Sequence, residues 1–216
     1  MAATHPSMTE KQHPVSRRLL VFARAPRAGR CKTRLMPRYG ARGAAAIHQQ
    51  LVEKTLLTAS TVNAITELCC EPDTRHGFFA ACRRRYGLAL HRQHTGDLGR
   101  KMALALQRAL RASHAVVIIG TDCPALTAAN IEQAFMALEQ GSDSVIKPAQ
   151  DGGYVLIGAR QPLGSALRHI HWSSGQELRQ TLHRLQLRGL SVKLLAPSWD
   201  VDHPRDVVRA RLERLI

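Results

Sequence analysis

Short runs of β-branched and aliphatic residues alternate along this chain with stretches whose apolar residues recur every three or four positions. The clearest run is V-V-I-I, Val116 to Ile119. It fits a strand buried on both faces of a parallel sheet, and Gly120 then lets the chain turn. Thr127 is placed to cap the helix that follows, whose apolar stripe is Ile131, Phe135 and Leu138. Further strands are predicted at Leu19–Ala23, Ala64–Cys70, Leu88–His91 and Ser144–Ala149, in V-L-I-G-A from Val155, and in S-V-K-L-L-A-P from Ser191.

Between them the helical period predicts a helix over Arg42–Ser60, carrying Ile47, Leu51, Val52, Leu56 and Ala59, and another over Thr74–Tyr86. A third is opened by T-G-D-L-G-R-K-M, with Asp97 as its cap and Leu98, Met102, Ala105 and Ala109 facing inward. A fourth spans Gly175–Arg188 with Leu178, Leu182 and Leu185, and a last one bears Val207, Val208 and Leu212. Alternating βα units imply an α/β fold with a mainly parallel sheet between helices. No internal repeat breaks the pattern, and one domain over residues 17–216 is expected, preceded by a loose polar tail over residues 1–16.

Charge narrows the partners. Thirty-one Lys and Arg stand against sixteen Asp and Glu, a net charge of +15, which favours nucleotides, nucleic acid or acidic lipid surfaces. Many of the arginines, including Arg83 to Arg85, Arg108, Arg111, Arg179, Arg184 and Arg188, lie in helical stretches and are expected on solvated faces. Aromatic residues make up only 4% of the chain, and no RRM, KH or zinc-finger pattern occurs. A nucleic-acid-binding module is therefore the weaker reading of the charge. The five cysteines, Cys31, Cys69, Cys70, Cys82 and Cys123, form no metal-ligand spacing. A reducing cytoplasm fits, and Cys69 and Cys70, in the predicted strand, are expected to be small buried hydrophobes. The first sixteen residues lack an apolar signal core, and no apolar run reaches the length of a membrane span.

Four stretches carry candidate chemistry. Asp122, in G-T-D-C-P-A-L-T, sits just past a strand's carboxyl end, where open α/β sheets bind ligands. A carboxylate there is placed to hold a divalent cation against phosphate oxygens, although a turn aspartate bonding its own backbone is the plain alternative. The loop R-A-P-R-A-G-R-C-K-T-R-L after the first strand sets Arg24, Arg27, Arg30, Lys32 and Arg34 within eleven residues and suits the phosphates of a nucleotide, yet lacks Walker A spacing. Q-D-G-G-Y reads either as a loop wrapped over a small ligand or as a hairpin turn. In W-D-V-D-H-P, two acids alternate before a helix that Asp202 can cap, with Pro204 in its first turn. His91 and His94 lack a third ligand nearby and make a poor metal site.

Taken together, A-R-A-P-R-A-G-R-C-K-T-R-L, G-T-D-C-P-A-L-T with P-A-Q-D-G-G-Y-V-L-I-G, and W-D-V-D-H-P-R-D-V resemble, in that order, a family of small bacterial glycosyltransferase-like proteins. That family was once listed as an uncharacterised domain, and some members are associated with arsenosugar biosynthesis. It is similar to the GT-A type of nucleotide-diphospho-sugar transferase, and related to nucleotidyltransferases such as the molybdopterin and phospholactate guanylyltransferases. The resemblance implies a Rossmann-like GT-A sandwich with the nucleotide over its amino-terminal half. It implies phosphate contacts from Arg24, Lys32, Arg34 and Thr121, with Lys32 also catalytic. Asp122 would be a catalytic metal ligand, helped by Asp200 and Asp202. Asp151, Gly152, Gly153 and Tyr154 would face the sugar or acceptor. Gln150 stands where an acid commonly precedes D-G-G-Y, which weakens a base at that position, and His203 replaces the usual threonine of D-V-D-T-P.

The expected reaction is metal-dependent transfer of a sugar from a nucleotide-sugar to a small-molecule acceptor. Mg²⁺ or Mn²⁺ would sit on the diphosphate, Lys32 and Arg34 would offset the charge of the leaving group, and Asp151 would be the base. The closest rival is nucleotidyl transfer of the guanylyl or cytidylyl type, in which a nucleoside triphosphate reacts with a phosphorylated small molecule and releases pyrophosphate.

Overall fold

A computed structural model describes residues 16–216. The elements follow in order: β1 (Arg17–Arg24), α1 (Met36–Ala59), β2 (Ile65–Glu71), α2 (Gly77–Tyr86), β3 (Ala89–Arg92), α3 (Leu98–Ala109) and β4 (Ala115–Ile119). Then come α4 (Ala128–Glu139), β5 (Ser144–Pro148), β6 (Tyr154–Ala159), α5 (Glu177–Leu187), β7 (Val192–Leu194) and α6 (Pro204–Leu212). The strands form one seven-stranded sheet in the order β3-β2-β1-β4-β6-β5-β7, and every pairing is parallel except those made by β6.

All five residues of β4 are buried, as a central strand covered on both faces requires. Because successive side chains point to opposite faces, each strand feeds two cores. On one face Leu19, Val21, Val117 and Ile119 pack with Leu56 of α1, Phe79 of α2 and Phe135 of α4. On the other, Leu20, Val116, Ile118 and Ile157 pack with Met102 and Leu106 of α3 and Leu185 of α5. A third, smaller core holds Leu35, Ile47, Leu51, Trp199, Val201, Val207 and Ala210. It binds α1 and α6 to the loop after β1.

Several local expectations are met. The Asp97 side chain accepts from the Arg100 amide, and Thr127 and Asn130 form a capping box at α4. All five cysteines are buried and unpaired. Among the described residues, no helix is long and apolar enough to cross a membrane. The predicted tail lies outside the described residues except for Ser16, whose carbonyl accepts from the His114 amide.

Other expectations are corrected. Helix α1 begins at Met36 instead of Arg42, because Gly40, at φ 67° and ψ 170°, joins a short helical piece to the main helix across a kink. Leu98 is 42% exposed, since only Met102, Ala105, Leu106 and Ala109 of α3 reach the core deeply. On α6 the inward pair is Val207 and Ala210, and Val208 and Leu212 face water. Arg108 is no solvated-face residue: with Arg18 and His91 it surrounds the carboxylate of Glu67, which is 1% exposed. His91 is therefore spent on Glu67, at 3.2 Å.

Candidate functional site

The carboxyl edge of the sheet gathers the chemistry, and backbone bonds explain how. Val201 donates its amide to the Asp122 carbonyl at 2.8 Å, which ties the segment before α6 to the end of β4. Ser198 donates to Pro148 and accepts from Gln150, so the same segment also runs beside the end of β5. Since β6 runs against its neighbours, β5 and β6 form a hairpin, and its tip carries Asp151 to the edge where Asp122 lies. D-G-G is thus a hairpin turn that also borders the cleft. Gly153 donates to Asp151 Oδ1 at 2.9 Å.

Lys32 is at the centre. Its backbone takes the left-handed conformation, φ 47° and ψ 48°, at the entry to a 3₁₀ turn (Thr33–Leu35) anchored by buried Leu35. The side chain is only 6% exposed, and its Nζ lies 3.0 Å from Asp122 Oδ1 and 3.2 Å from Asp202 Oδ1. It also donates to the Val201 carbonyl. Arg34 donates to Asp202 Oδ2 at 2.7 Å. Asp202 is thus not the cap of α6: Asp206 accepts from the Asp202 and His203 amides, and Pro204 opens the helix.

Burial raises the pKa of the Asp122 carboxyl, but Lys32, His48 and Arg24 outweigh it and hold the group below the usual aspartate range. Burial likewise works against the Lys32 ammonium, and the charges of Asp122 and Asp202 more than restore it. His48, buried on α1, donates from Nε2 to the Arg24 carbonyl at 2.9 Å. Its Nδ1 lies 3.9 Å from Asp122 Oδ1, and burial lowers its pKa. No sequence signal beyond the period of α1 marked His48, because its importance comes from what the end of β4 brings beside it.

Asp151, Asp200 and Asp202 each bring a carboxylate oxygen within 4.8 Å of the others. Burial, then the neighbouring charges of Asp151 and Asp202, push the Asp200 carboxyl up to about 6. Hard oxygen donors in this number suit Mg²⁺ or Mn²⁺. Asp122 stands apart from the trio, joined to it through Lys32.

Two recesses open on this edge. One, of about 560 Å³, falls in the range of roughly 300–1,000 Å³ usual for small-molecule sites. Arg24, Lys32, Arg34, Thr121 and Asp122 line it. The other, of about 230 Å³, is lined by Gln150, Asp151, Trp199 and Asp200, and shares Arg34 and Asp202 with the first. Larger hollows beside α2 and beside Arg17 lie away from these groups. Gly152 and Tyr154 serve packing. A Cβ on Gly152, at φ +90°, would meet the Gly175 carbonyl oxygen at 2.1 Å. The Tyr154 ring packs edge-on to Trp172, with its hydroxyl buried.

A seven-stranded sheet with one reversed strand, and acids and cations at its carboxyl edge, defines an α/β protein of the kind found among nucleotidyltransferases and nucleotide-diphospho-sugar transferases. The chain belongs to the family described as uncharacterized protein conserved in bacteria (DUF2064), whose model matches residues 55–174. A candidate nucleotide-diphospho-sugar transferase from Desulfovibrio desulfuricans G20 is 28% identical over 87% of this chain and 82% of its own, with a TM-score of 0.78. The 4-diphosphocytidyl-2C-methyl-D-erythritol synthase of Anaerococcus prevotii DSM 20548 shares the fold at 14% identity and TM-score 0.61, over 94% and 97% of the two chains. The manganese complex of Rv0371c from Mycobacterium tuberculosis H37Rv does so at 18% identity and TM-score 0.54, over 90% and 97%. No curated protein sequence matches the chain.

Proposed function

We propose that this protein is a metal-dependent transferase that moves a sugar from a nucleotide-sugar donor to the hydroxyl of a small-molecule acceptor. One observation carries the reading: the Lys32 ammonium lies within 3.2 Å of both Asp122 and Asp202, at the junction of a cation-lined cleft and a carboxylate-lined recess. The similarity to the Desulfovibrio protein and to the manganese-bound one supports it.

In this reading the diphosphate lies in the larger cleft against Arg24, Lys32 and Arg34, with Thr121 in the wall. Lys32 and Arg34 each already hold a carboxylate, so they are oriented before a ligand arrives. Positive charge fixed in place stabilises negative charge that grows on a leaving diphosphate without the cost of reorienting solvent. Asp151, Asp200 and Asp202, with Asp122 beside them, are the residues that would hold a divalent ion. Such an ion, when bound, withdraws electron density from the phosphate oxygens. The acceptor occupies the smaller recess, where Asp151, the exposed member of the trio, takes the proton from its hydroxyl through the carboxylate oxygen not turned to the ion. Gly152, Gly153 and Tyr154 follow Asp151 in the hairpin but are not among the residues lining the recess.

The test is incubation with Mn²⁺ and a panel of nucleotide-sugars in parallel with nucleoside triphosphates and sugar phosphates. Release of nucleoside diphosphate supports glycosyl transfer, and its absence across the panel with pyrophosphate formed instead overturns it. Nucleotidyl transfer is the second reading, favoured by the likeness to the Anaerococcus synthase and by the five cations between Arg24 and Arg34.

A further inference from the structure

The end of the larger cleft remote from the carboxylate trio is built differently from the rest. Glu71, the last residue of β2, and Gln93, just past β3, line it together with Phe22 and Leu98. The Glu71 carboxylate is 30% exposed and held from two sides, by Lys101 Nζ on Oε1 at 3.0 Å and by Arg24 on Oε2 at 3.3 Å. Burial raises the pKa of this acid, but Lys101 and Arg24 bring it below the ordinary glutamate range. A carboxylate offers about four acceptor positions, so two cations leave acceptor capacity on both oxygens.

Gln93 is oriented just as firmly. Its Nε2 lies 2.8 Å from the Cys69 carbonyl and 3.4 Å from the Ala23 carbonyl, and its own amide donates to Cys70. Only the NH₂ end of the side chain can face two carbonyl oxygens, so the amide's orientation is set by its partners. Both hydrogens of the NH₂ are then used, and Oε1, turned away from them, is the atom Gln93 has left to offer. Among the described residues nothing donates to it. This part of the cleft therefore presents side-chain acceptors to a ligand, on Glu71 and on Gln93. The ring of Phe22 and the 42% exposed side chain of Leu98 add apolar surface.

Resting on the reading of the cleft as a nucleotide site, we propose that this end binds the base, and that its acceptors select guanine. Among the common bases, only guanine carries two adjacent donors, N1–H and the N2 amino group, on the edge that pairs with other bases. Adenine and cytosine each place an acceptor next to their amino group, and uracil places acceptors on both sides of its N–H. Any of these would set an acceptor against Glu71 or Gln93, and a lone pair facing a fixed carboxylate is penalised more than a missing contact. A ribose diol also presents two donors, but a sugar gains little from the apolar surface of Phe22 and Leu98.

The experiment is titration calorimetry of the unmodified protein with GDP, IDP, ADP, CDP, UDP and 2′-deoxy-GDP, each with Mn²⁺. IDP lacks only the N2 amino group of GDP. We expect GDP to bind about ten- to a hundredfold more tightly than IDP, the range for one hydrogen bond to a charged acceptor, and more tightly than the other three bases. Removing the 2′-hydroxyl should change affinity much less. In Glu71→Gln the margin of GDP over IDP should shrink, while affinity for inorganic pyrophosphate is retained. Tightest binding of another base overturns the assignment and leaves the nucleotide site standing. Equal affinity for GDP and IDP with a loss for 2′-deoxy-GDP also overturns it, by giving Glu71 to the ribose. If none of the six binds, the nucleotide reading fails and this proposal fails with it.

Discussion

Replacing Lys32 by methionine tests the junction directly. The substitution keeps most of the apolar stem and removes one buried charge that contacts Asp122 Oδ1 at 3.0 Å, Asp202 Oδ1 at 3.2 Å and the Val201 carbonyl. Hydrogen bonds to charged groups contribute about 1.5–3 kcal/mol each, so the two to Asp202 and Val201, with the ion pair to Asp122 added, suggest a large loss, but two corrections reduce it. Asp202 is 33% exposed, and Asp122 reaches water through its other oxygen although Oδ1 is buried, so water replaces part of what the ammonium gave them, most of all at Asp202. Removing the lysine also recovers the cost of having desolvated it. A net loss of about 2 kcal/mol remains, which for a chain of this length lowers Tm by about 4–8 °C.

Thermal unfolding at pH 7 in the presence of EDTA measures it. The sign with pH follows from Asp122, whose folded pKa is depressed. Its contribution is present above the ordinary aspartate value and disappears as pH falls through the folded value. The gap between the wild type and the variant should therefore close below about pH 4. A Lys32→Met protein melting at or above the wild-type temperature at pH 7 would refute the view that the two aspartates depend on this ammonium.

Asp200 makes the opposite prediction. Its folded pKa is raised to about 6, so its contribution to stability is full below the unfolded value and is lost as pH rises through about 6. Asp200→Asn should raise Tm in EDTA at pH 7.5 and leave it nearly unchanged at pH 3. Because a ligating carboxylate must be ionised, Mn²⁺ affinity measured by calorimetry should fall as pH drops below about 6, and a flat profile from pH 5 to 8 would remove Asp200 from the ligand set. Glu67→Ala strands Arg18 and Arg108 around a vacated buried position and should cost about 3 kcal/mol, read as a lower denaturation midpoint in urea. In Gly99→Ala the new methyl carbon would lie 1.8 Å from the Leu167 carbonyl oxygen. This should destabilise by about 1–3 kcal/mol as α3 shifts, and an unchanged Tm would show that the Gly164–Leu167 turn yields freely.

What the chain announced in advance was local. The run Val116–Ile119, the Thr127 and Asp97 caps and the stripe of α4 depend on neighbours within one or two helical turns, and the structure repeats them. The reversal of β6 was not legible, because D-G-G fits a ligand-wrapping loop as well as a hairpin and only the pairing of β6 with β4 decides. Within the site, the motifs brought Lys32, Asp122, Asp151, Asp200 and Asp202 forward. That Lys32 lies between Asp122 and Asp202, and that the tight carboxylate trio includes Asp151 and not Asp122, depends on the Val201–Asp122 bond, which joins residues 79 positions apart. Glu71 and Gln93 gave no signal at all. Each is an ordinary polar residue at a strand end, and the hydrogen bonds that aim them come from β1, β2 and α3.

The contact between Gly152 and Gly175 has a mechanical consequence. At that point two stretches of main chain touch with no side chain between them, one leading to Asp151 and the other to Ser173, a wall residue of the larger cleft. With no flexible spacer to absorb displacement, and with the Leu178 amide bonded to the Gly152 carbonyl at 3.0 Å, an outward swing of the Ser173 wall should pull on the hairpin tip. Filling one chamber therefore alters the stiffness of the other, and two ligands entering this edge should sense each other before they meet.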